Sequence, residues 1–466
     1  MPAMVTRIHD RSHLSELQRS FAGELIAPEH PAYEGQRKVW NGSIDRHPAL
    51  IARCTGPSDI VGALAFAQRV GLTVAIRGGG HSFPGFSVVD DGLVIDLGPM
   101  KGIDVRPEAG TVRAQAGVLL GELDRATQAH ALAVPLGSVT HTGIAGLTLG
   151  GGFGWIMRKH GLTIDKLISV DLVTADGERV HANEADNADL FWAVRGGGGN
   201  FGIVTEFEYR LSRVGPMVLS GLVIWPLEEA AEVAAFYRDW ASDAPTNLTT
   251  ALIVRRAPAV DLIPRELHGR HVVAVACCWI GPVDAGEAVV KAMRAFGNPV
   301  VDLVAPRAFV EQQGMLDPGF PHGIWIYSKA SDVPSLSDGV LDVMLSHGAR
   351  TESGLSGMIA WQLGGAVAEV GATDTAFSSS RSGYLIDLVG ATDSAEGFDL
   401  ERDWARDCWD ALAPYRTGAY VNWLMEEGEQ RVRETYGESR YRRLQDVKRR
   451  YDPRNVFRMN QNILPA

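Results

Sequence analysis

The chain has 466 residues, 45% of them hydrophobic and 21% charged, and carries a formal net charge of −12. That length predicts two or three units with a sizeable core, and the composition excludes disordered and fibrous designs. The acidic balance argues against a nucleic-acid partner, which needs a basic face that releases counterions from phosphates.

The opening MPAMVTRIHDRSHLSELQRSF alternates charged and apolar residues and lacks the apolar centre of a signal peptide. No apolar run of about 18 residues follows, so the reading is a cytoplasmic protein with no membrane partner. Ser58 reads as a helix cap, followed by Ile60, Ala63, Leu64 and Ala67 at helical spacing, and Thr73 to Ile76 as a short buried strand. Next come strand-like Leu93 to Leu97 and Thr111 to Ala114, then a helical stretch from Leu119 to Ala129. The pattern is α+β.

Three glycine-rich loops crowd one half of the chain: RGGGHS at 77 to 82, GSVTHTGIAGLTLGGGFG at 137 to 154 and RGGGGNFG at 195 to 202. Glycine runs after strands let backbone N–H groups converge on an anion such as a diphosphate, although each run alone could simply make a tight turn. Gly197, Gly199 and Gly202 satisfy G-x-G-x-x-G, but they lead into IVTEFEYRL, which alternates as a strand does, so a nicotinamide-binding unit is disfavoured. None of the loops has the G-x-x-x-x-G-K-S/T form of a phosphate-binding nucleotidase.

Beyond Pro216 the elements lengthen, with a helix near 227 to 240 (Val233, Phe236, Tyr237 and Trp240 on one face) and strands at 271 to 279 and 384 to 389. A boundary is placed near residue 215. The tail from about 430 is basic and helical. Cys54, Cys277, Cys278 and Cys408 lack C-x-x-C spacing and read as buried thiols, and His268 and His271 lack partners that would complete a metal set, so no metal is expected. With neither a metal set nor a cysteine–histidine nucleophile, the chemistry points to an imported redox cofactor. His81, at the end of the first glycine loop, is either structural or a neutral imidazole nucleophile toward such a cofactor.

Five motifs together resemble the berberine bridge enzyme-like oxidoreductases of the vanillyl-alcohol oxidase superfamily, over nearly the whole chain: RGGGHS, GLTLGGGFGW at 146 to 155, GGGGNFGIVTEF at 196 to 207, AYVNW at 419 to 423 and YDPRNVFRMNQNI at 451 to 463. The resemblance implies an α+β fold with a bipartite PCMH-type FAD-binding domain. Residues 1–214 and a returning segment, 426–466, would form it around a substrate domain, 215–425, of antiparallel sheet flanked by helices. It implies FAD joined through its 8α carbon to His81, wrapped by the backbone from Arg77 through Gly78, Gly79 and Gly80 to Ser82. Gly137, Ser138, Thr142, Gly143 and Gly146 would line the second phosphate and the ring, and Gly202 and Val204 the adenosine end. Val139 stands where many members have a second, cysteinyl attachment, so a single covalent bond is expected.

Thr142 falls at the family's oxygen-access position, and its modest size favours an oxidase that forms hydrogen peroxide with dioxygen as a partner. Tyr420, and more weakly Tyr384, are the implied catalytic residues, and Tyr327 is a further pocket candidate. Asn422, Asn460, Gln461 and Asn462 would contact the flavin. A phenol such as Tyr420 acts as a base at neutral pH only if its pKa is depressed or a relay serves it. The expected reaction is hydride removal from an alcohol or amine carbon of a small molecule, whether a sugar, an alkaloid or another secondary metabolite, by a monomer or homodimer. The alternatives are a dehydrogenase that passes electrons to a quinone or other carrier, and a binding protein without turnover.

Overall fold

The computed structural model describes residues 11–259, 261 and 263–466. The helix expected after Ser58 runs over Pro57–Val70, and its cap is Gly56 rather than Ser58. Proline at the first helical position needs no N–H partner there. Asp59 in the first turn accepts from the Thr55 amide (2.9 Å) and hydroxyl (2.7 Å) and from the Ala22 amide (2.8 Å), so it ties the helix start to the segments before it, with its charge at the favourable end of the helix dipole. Gly71, left-handed at φ 72°, ends the helix and turns the chain into the strand Val74–Arg77.

That strand lies at the edge of a four-stranded sheet in the order Glu24–Ile26, Leu50–Arg53, Leu93–Asp96, Val74–Arg77, whose last three strands are parallel. A five-stranded antiparallel sheet follows: Ile103–Arg106, Thr111–Gln115, Ile203–Arg210, Leu167–Val173 and Arg179–Asn183. Residues from both sheets share one core with Val432, Tyr436, Tyr441, Leu444, Val447, Phe457 and Ile463.

The third sheet has eight antiparallel strands between Met217 and Thr392. Its strands are buried on both faces, which accounts for their continuous apolar runs. Because side chains alternate, Val273, Val275 and Cys277 pack beneath the helices Ala230–Ser242, Val283–Arg294, Asp338–Gly348 and Phe398–Ala411. Val272, Ala274, Ala276 and Cys278 face the other way, in a cluster with Phe153, Trp155, Trp361 and Tyr420. All four cysteines are buried, unpaired thiols. Among the described residues no helix is long and apolar enough to cross a membrane.

The basic tail is two helices, Gly428–Tyr436 and Glu438–Tyr451, and one of its cations is not solvated. Lys448 is fully buried and donates to Asp452 (2.7 Å) and to the carbonyls of Asn200 and Phe457 (both 2.9 Å). Truncating it strands a buried carboxylate, so Lys448→Ala should cost about 3–5 kcal/mol. Arg449→Ala, at an exposed pair with Asp446, should stay within about 0.5 kcal/mol. Urea unfolding of the two variants checks this, and equal midpoints would contradict it.

Candidate active site

The strand Val74–Arg77 delivers the first glycine loop, but Arg77 itself turns away from it. Its buried guanidinium holds Asp96 at 3.0 Å and the Gln36 carbonyl, and it does not line the adjoining cavity. Arg77 therefore supports the loop from behind. The expected contact with the cofactor passes to Gly78, Gly79, Gly80, His81 and Ser82, all of which line a cavity of about 320 Å³. Gly137, Ser138, Val139, Thr142, Gly143, Gly146, Gly202, Val204, Tyr420, Asn422, Asn460 and Gln461 line the same cavity.

The first two glycine loops touch backbone to backbone. A Cβ on Gly79 would stand 2.3 Å from the Gly143 nitrogen, and one on Gly143 would stand 2.3 Å from the Gly79 nitrogen. At Gly146 and Gly199, by contrast, an added Cβ meets nothing within 4 Å, so side chains there would occupy the cavity itself. Asn460 completes the cradle: its Nδ2 donates to the Phe457 carbonyl (3.1 Å), while its buried Oδ1 has no partner. Open space over glycines and an unmatched amide oxygen suit a flavin dinucleotide, which brings both phosphates and ring N–H groups.

Asn462 does not line the cavity, and neither does Tyr384. Tyr384 begins the strand Tyr384–Thr392 with its ring on the helix-covered face, 6.4 Å from that of Tyr237, together with Ile386 and Leu388. Tyr327 lies on that face as well. Alternation that turns Tyr384 away turns Asp387 toward the cavity, where its buried carboxyl accepts from Ser328 Oγ at 3.0 Å. Burial pushes the Asp387 pKa up to about 7, with Ser328 opposing. The sequence reading passes over Asp387, although an acid in the apolar run SGYLIDLVG is a signal in itself.

Tyr420 Oη accepts from the Gly152 amide and from Asn422 Nδ2, both at 2.9 Å, which leaves its own O–H free to donate. Burial outweighs these two donors and pushes its pKa up to about 12. The depressed pKa that a base would need is absent, and the phenol is a proton-bearing donor at neutral pH. Around it stand Phe153 (5.2 Å) and Trp423 (5.5 Å), and Phe153 also meets Trp361 at 5.6 Å, so one wall is aromatic. Among the described lining residues Asp387 is the one acid, and there is no lysine or arginine.

His81 stacks on Trp40, with ring centres 4.6 Å apart. Its Nε2 lies 2.8 Å from His141 Nδ1, and its Nδ1 lies 3.4 Å from Thr142 Oγ1. Burial, then His141 and His322, hold the His81 pKa well below the usual histidine value, so the ring is neutral. His141 and His322 escape the sequence reading because residues 60 and more apart are brought together only by the fold.

Residues 48–183 match the FAD binding domain model, and residues 419–464 match the berberine and berberine-like model. An FAD-linked oxidoreductase of Dictyostelium discoideum is 31% identical over 97% of this chain and 97% of its own. (R)-6-hydroxynicotine oxidase of Paenarthrobacter nicotinovorans is 29% identical over 96% and 97%. The crystal structure of 6-hydroxy-D-nicotine oxidase from Arthrobacter nicotinovorans superposes with a TM-score of 0.86 at 27% identity, covering 96% of this chain and 99% of that one. Fold and cradle define an FAD-dependent enzyme. The chain belongs to the berberine bridge enzyme-like family of FAD-linked oxidoreductases.

The Gly79–Gly143 contact leaves no room for a methyl group. An overpacking cost of about 1–3 kcal/mol falls on a loop that lines the cavity, so purified Gly79→Ala should carry less flavin than wild type, read from its 450 nm absorbance. Gly35→Ala, where a Cβ meets nothing within 4 Å, should match wild type.

Proposed function

We propose that the chain is an oxidase with FAD held by a single covalent bond to His81. It would oxidise the carbon beside an amine or hydroxyl group of a small apolar molecule and pass both electrons to dioxygen, giving hydrogen peroxide. The observation that carries this reading is the meeting, in one cavity, of the His81 loop with Asp387 and Tyr420. The flavin supplies a two-electron acceptor when bound. Every other role falls to side chains.

His81 is neutral, with Nδ1 beside Thr142, and so is available as a nucleophile. Val139, in the cavity wall, can form no thioether, which supports a single attachment. Gly146, Gly199 and Gly202 make room for the dinucleotide, and Asn460 offers its unmatched oxygen. Asp387, with a pKa near 7, takes the proton from the substrate's ammonium or hydroxyl group. Tyr420, held by Gly152 and Asn422, donates a hydrogen bond to the hydroxyl oxygen, or to the amine nitrogen once its proton has gone to Asp387, and so orients the reacting group. Thr142 leaves space for dioxygen.

The aromatic wall of Phe153, Trp361 and Trp423 with a single carboxyl favours an amine on an apolar skeleton. A sugar would need many more polar partners for its hydroxyl groups, and an anionic substrate would find no lysine or arginine among the described lining residues. Buried, unpaired cysteines are consistent with a cytoplasmic setting.

After acid precipitation the yellow colour should stay with the protein, and His81→Ala should release it; colour in the wild-type supernatant would defeat the covalent assignment. Reduced enzyme should reoxidise in air at least as fast as it turns over, whereas slower reoxidation would indicate a dehydrogenase. Because Asp387 must be ionised to accept a proton, kcat/KM should rise with pH through about 7. Asp387→Asn should flatten that rise and lower kcat/KM by about 10²-fold. Apolar amines should bleach the flavin anaerobically where oligosaccharides do not.

A further inference from the structure

The ring nitrogens of His81, His141 and His322 all lie within 4.8 Å of one another, and each residue comes from a separately anchored stretch. His81 rests on Trp40. Beside His141, Thr140 is gripped by Asp317 through its amide at 2.8 Å and its hydroxyl at 2.5 Å. The segment that carries His322 is fastened to Trp40 twice, by Trp40 Nε1 to the Phe320 carbonyl and by the Gly323 amide to the Trp40 carbonyl, both at 3.0 Å. Imidazole sets of this kind suit zinc, cobalt and neighbouring ions. With metal–nitrogen distances of about 2.0–2.1 Å, a tetrahedral ion needs nitrogens roughly 3.3 Å apart. The His81–His141 pair at 2.8 Å must open slightly, and the exposed His322 is free to close in.

We propose that, before the flavin is attached, His81, His141 and His322 bind a divalent transition-metal ion, and that the bound ion blocks covalent attachment at His81. The second half rests on the covalent reading above; the first does not.

The exclusion is a matter of tautomers. With His81 Nε2–H donating to His141 Nδ1 across their 2.8 Å contact, the neutral His81 ring carries its lone pair on Nδ1, the nitrogen beside Thr142 Oγ1. A metal ion on His81 Nε2 displaces this proton. The neutral ring then carries it on Nδ1, whose lone pair is lost. Attachment forms an Nδ1–carbon bond at the flavin's 8α position, breaks one C–H and one N–H bond, and sends two electrons to dioxygen as peroxide. It cannot begin from the Nδ1–H tautomer.

The test uses the full-length chain made flavin-free in a riboflavin-starved host. Cobalt(II) should give the intense visible bands of a four-coordinate ion, zinc(II) should displace it, and His322→Ala should weaken binding roughly tenfold or more. With FAD added, zinc should slow covalent incorporation about tenfold, a chelator should restore it, and His322→Ala should incorporate flavin at one rate with or without zinc. Cobalt binding that is unchanged in His322→Ala would overturn the site. Incorporation in wild type that ignores zinc would overturn the exclusion. No incorporation even without zinc would remove the covalent reading and the exclusion with it, while the cobalt titration still decides the site.

Discussion

Lys448 has no access to solvent, yet its ammonium meets a carboxylate and two carbonyls at 2.7 to 2.9 Å. One of those carbonyls belongs to Asn200, in the third glycine loop, whose side chain in turn donates to the Gln461 carbonyl (3.1 Å) and accepts from the Ile463 amide (3.0 Å). Asp452 completes the knot by accepting from the amides of Val456 and Phe457. A buried charge without partners is costly, so each of these bonds is held by the need to satisfy the others. The loop that borders the cavity and the tail that brings Asn460 to it are therefore fixed as one piece.

On the opposite wall the constraint is the period of two along a strand. Tyr384 and Asp387 are three residues apart on Tyr384–Thr392, so they must face opposite sides of the sheet. Whichever face takes the tyrosine, the other takes the acid. The helices Ala230–Ser242 and Phe398–Ala411 claim the first face with apolar side chains, and Asp387 is left to the cavity, with Ser328 on the neighbouring strand as its donor.

The glycine loops are legible as loops because glycine runs after strands are a local signal, but the reason Gly79 and Gly143 have no room for a side chain is the contact between the two loops, which neither motif carries within itself. Strands at 271–279 and 203–210 were legible from periodicity, and His81 from its place after a glycine run. Ser58 is not the cap because the helix begins a residue earlier, at Pro57, with Gly56 as its cap and no side chain capping it. The motif implies a backbone role for Arg77, and nothing local reveals that Asp96, on the next strand, claims its guanidinium. Asp387, His141, His322 and Trp40 acquire meaning only from partners far along the chain, which a linear reading does not supply. Tyr420 was found by motif, but its protonation is set by burial, which the motif does not encode.

One cavity thus holds a histidine, a carboxyl and a phenol, and low dielectric pushes each toward its neutral form: His81 well down, Asp387 up to about 7, Tyr420 up to about 12. The three differ in what they can then do. His81 keeps a lone pair that protonation would remove, Tyr420 keeps a proton it can share but not surrender, and Asp387 alone sits at the edge of ionisation near neutral pH. With no lysine or arginine in the described lining to stabilise it, the Asp387 carboxylate depends on Ser328 and on whatever cationic or proton-bearing group enters. Ionisation of the acid and binding of such a group favour each other, so in the proposed reaction the property that would make Asp387 a competent base is also the one by which the cavity would select its guest.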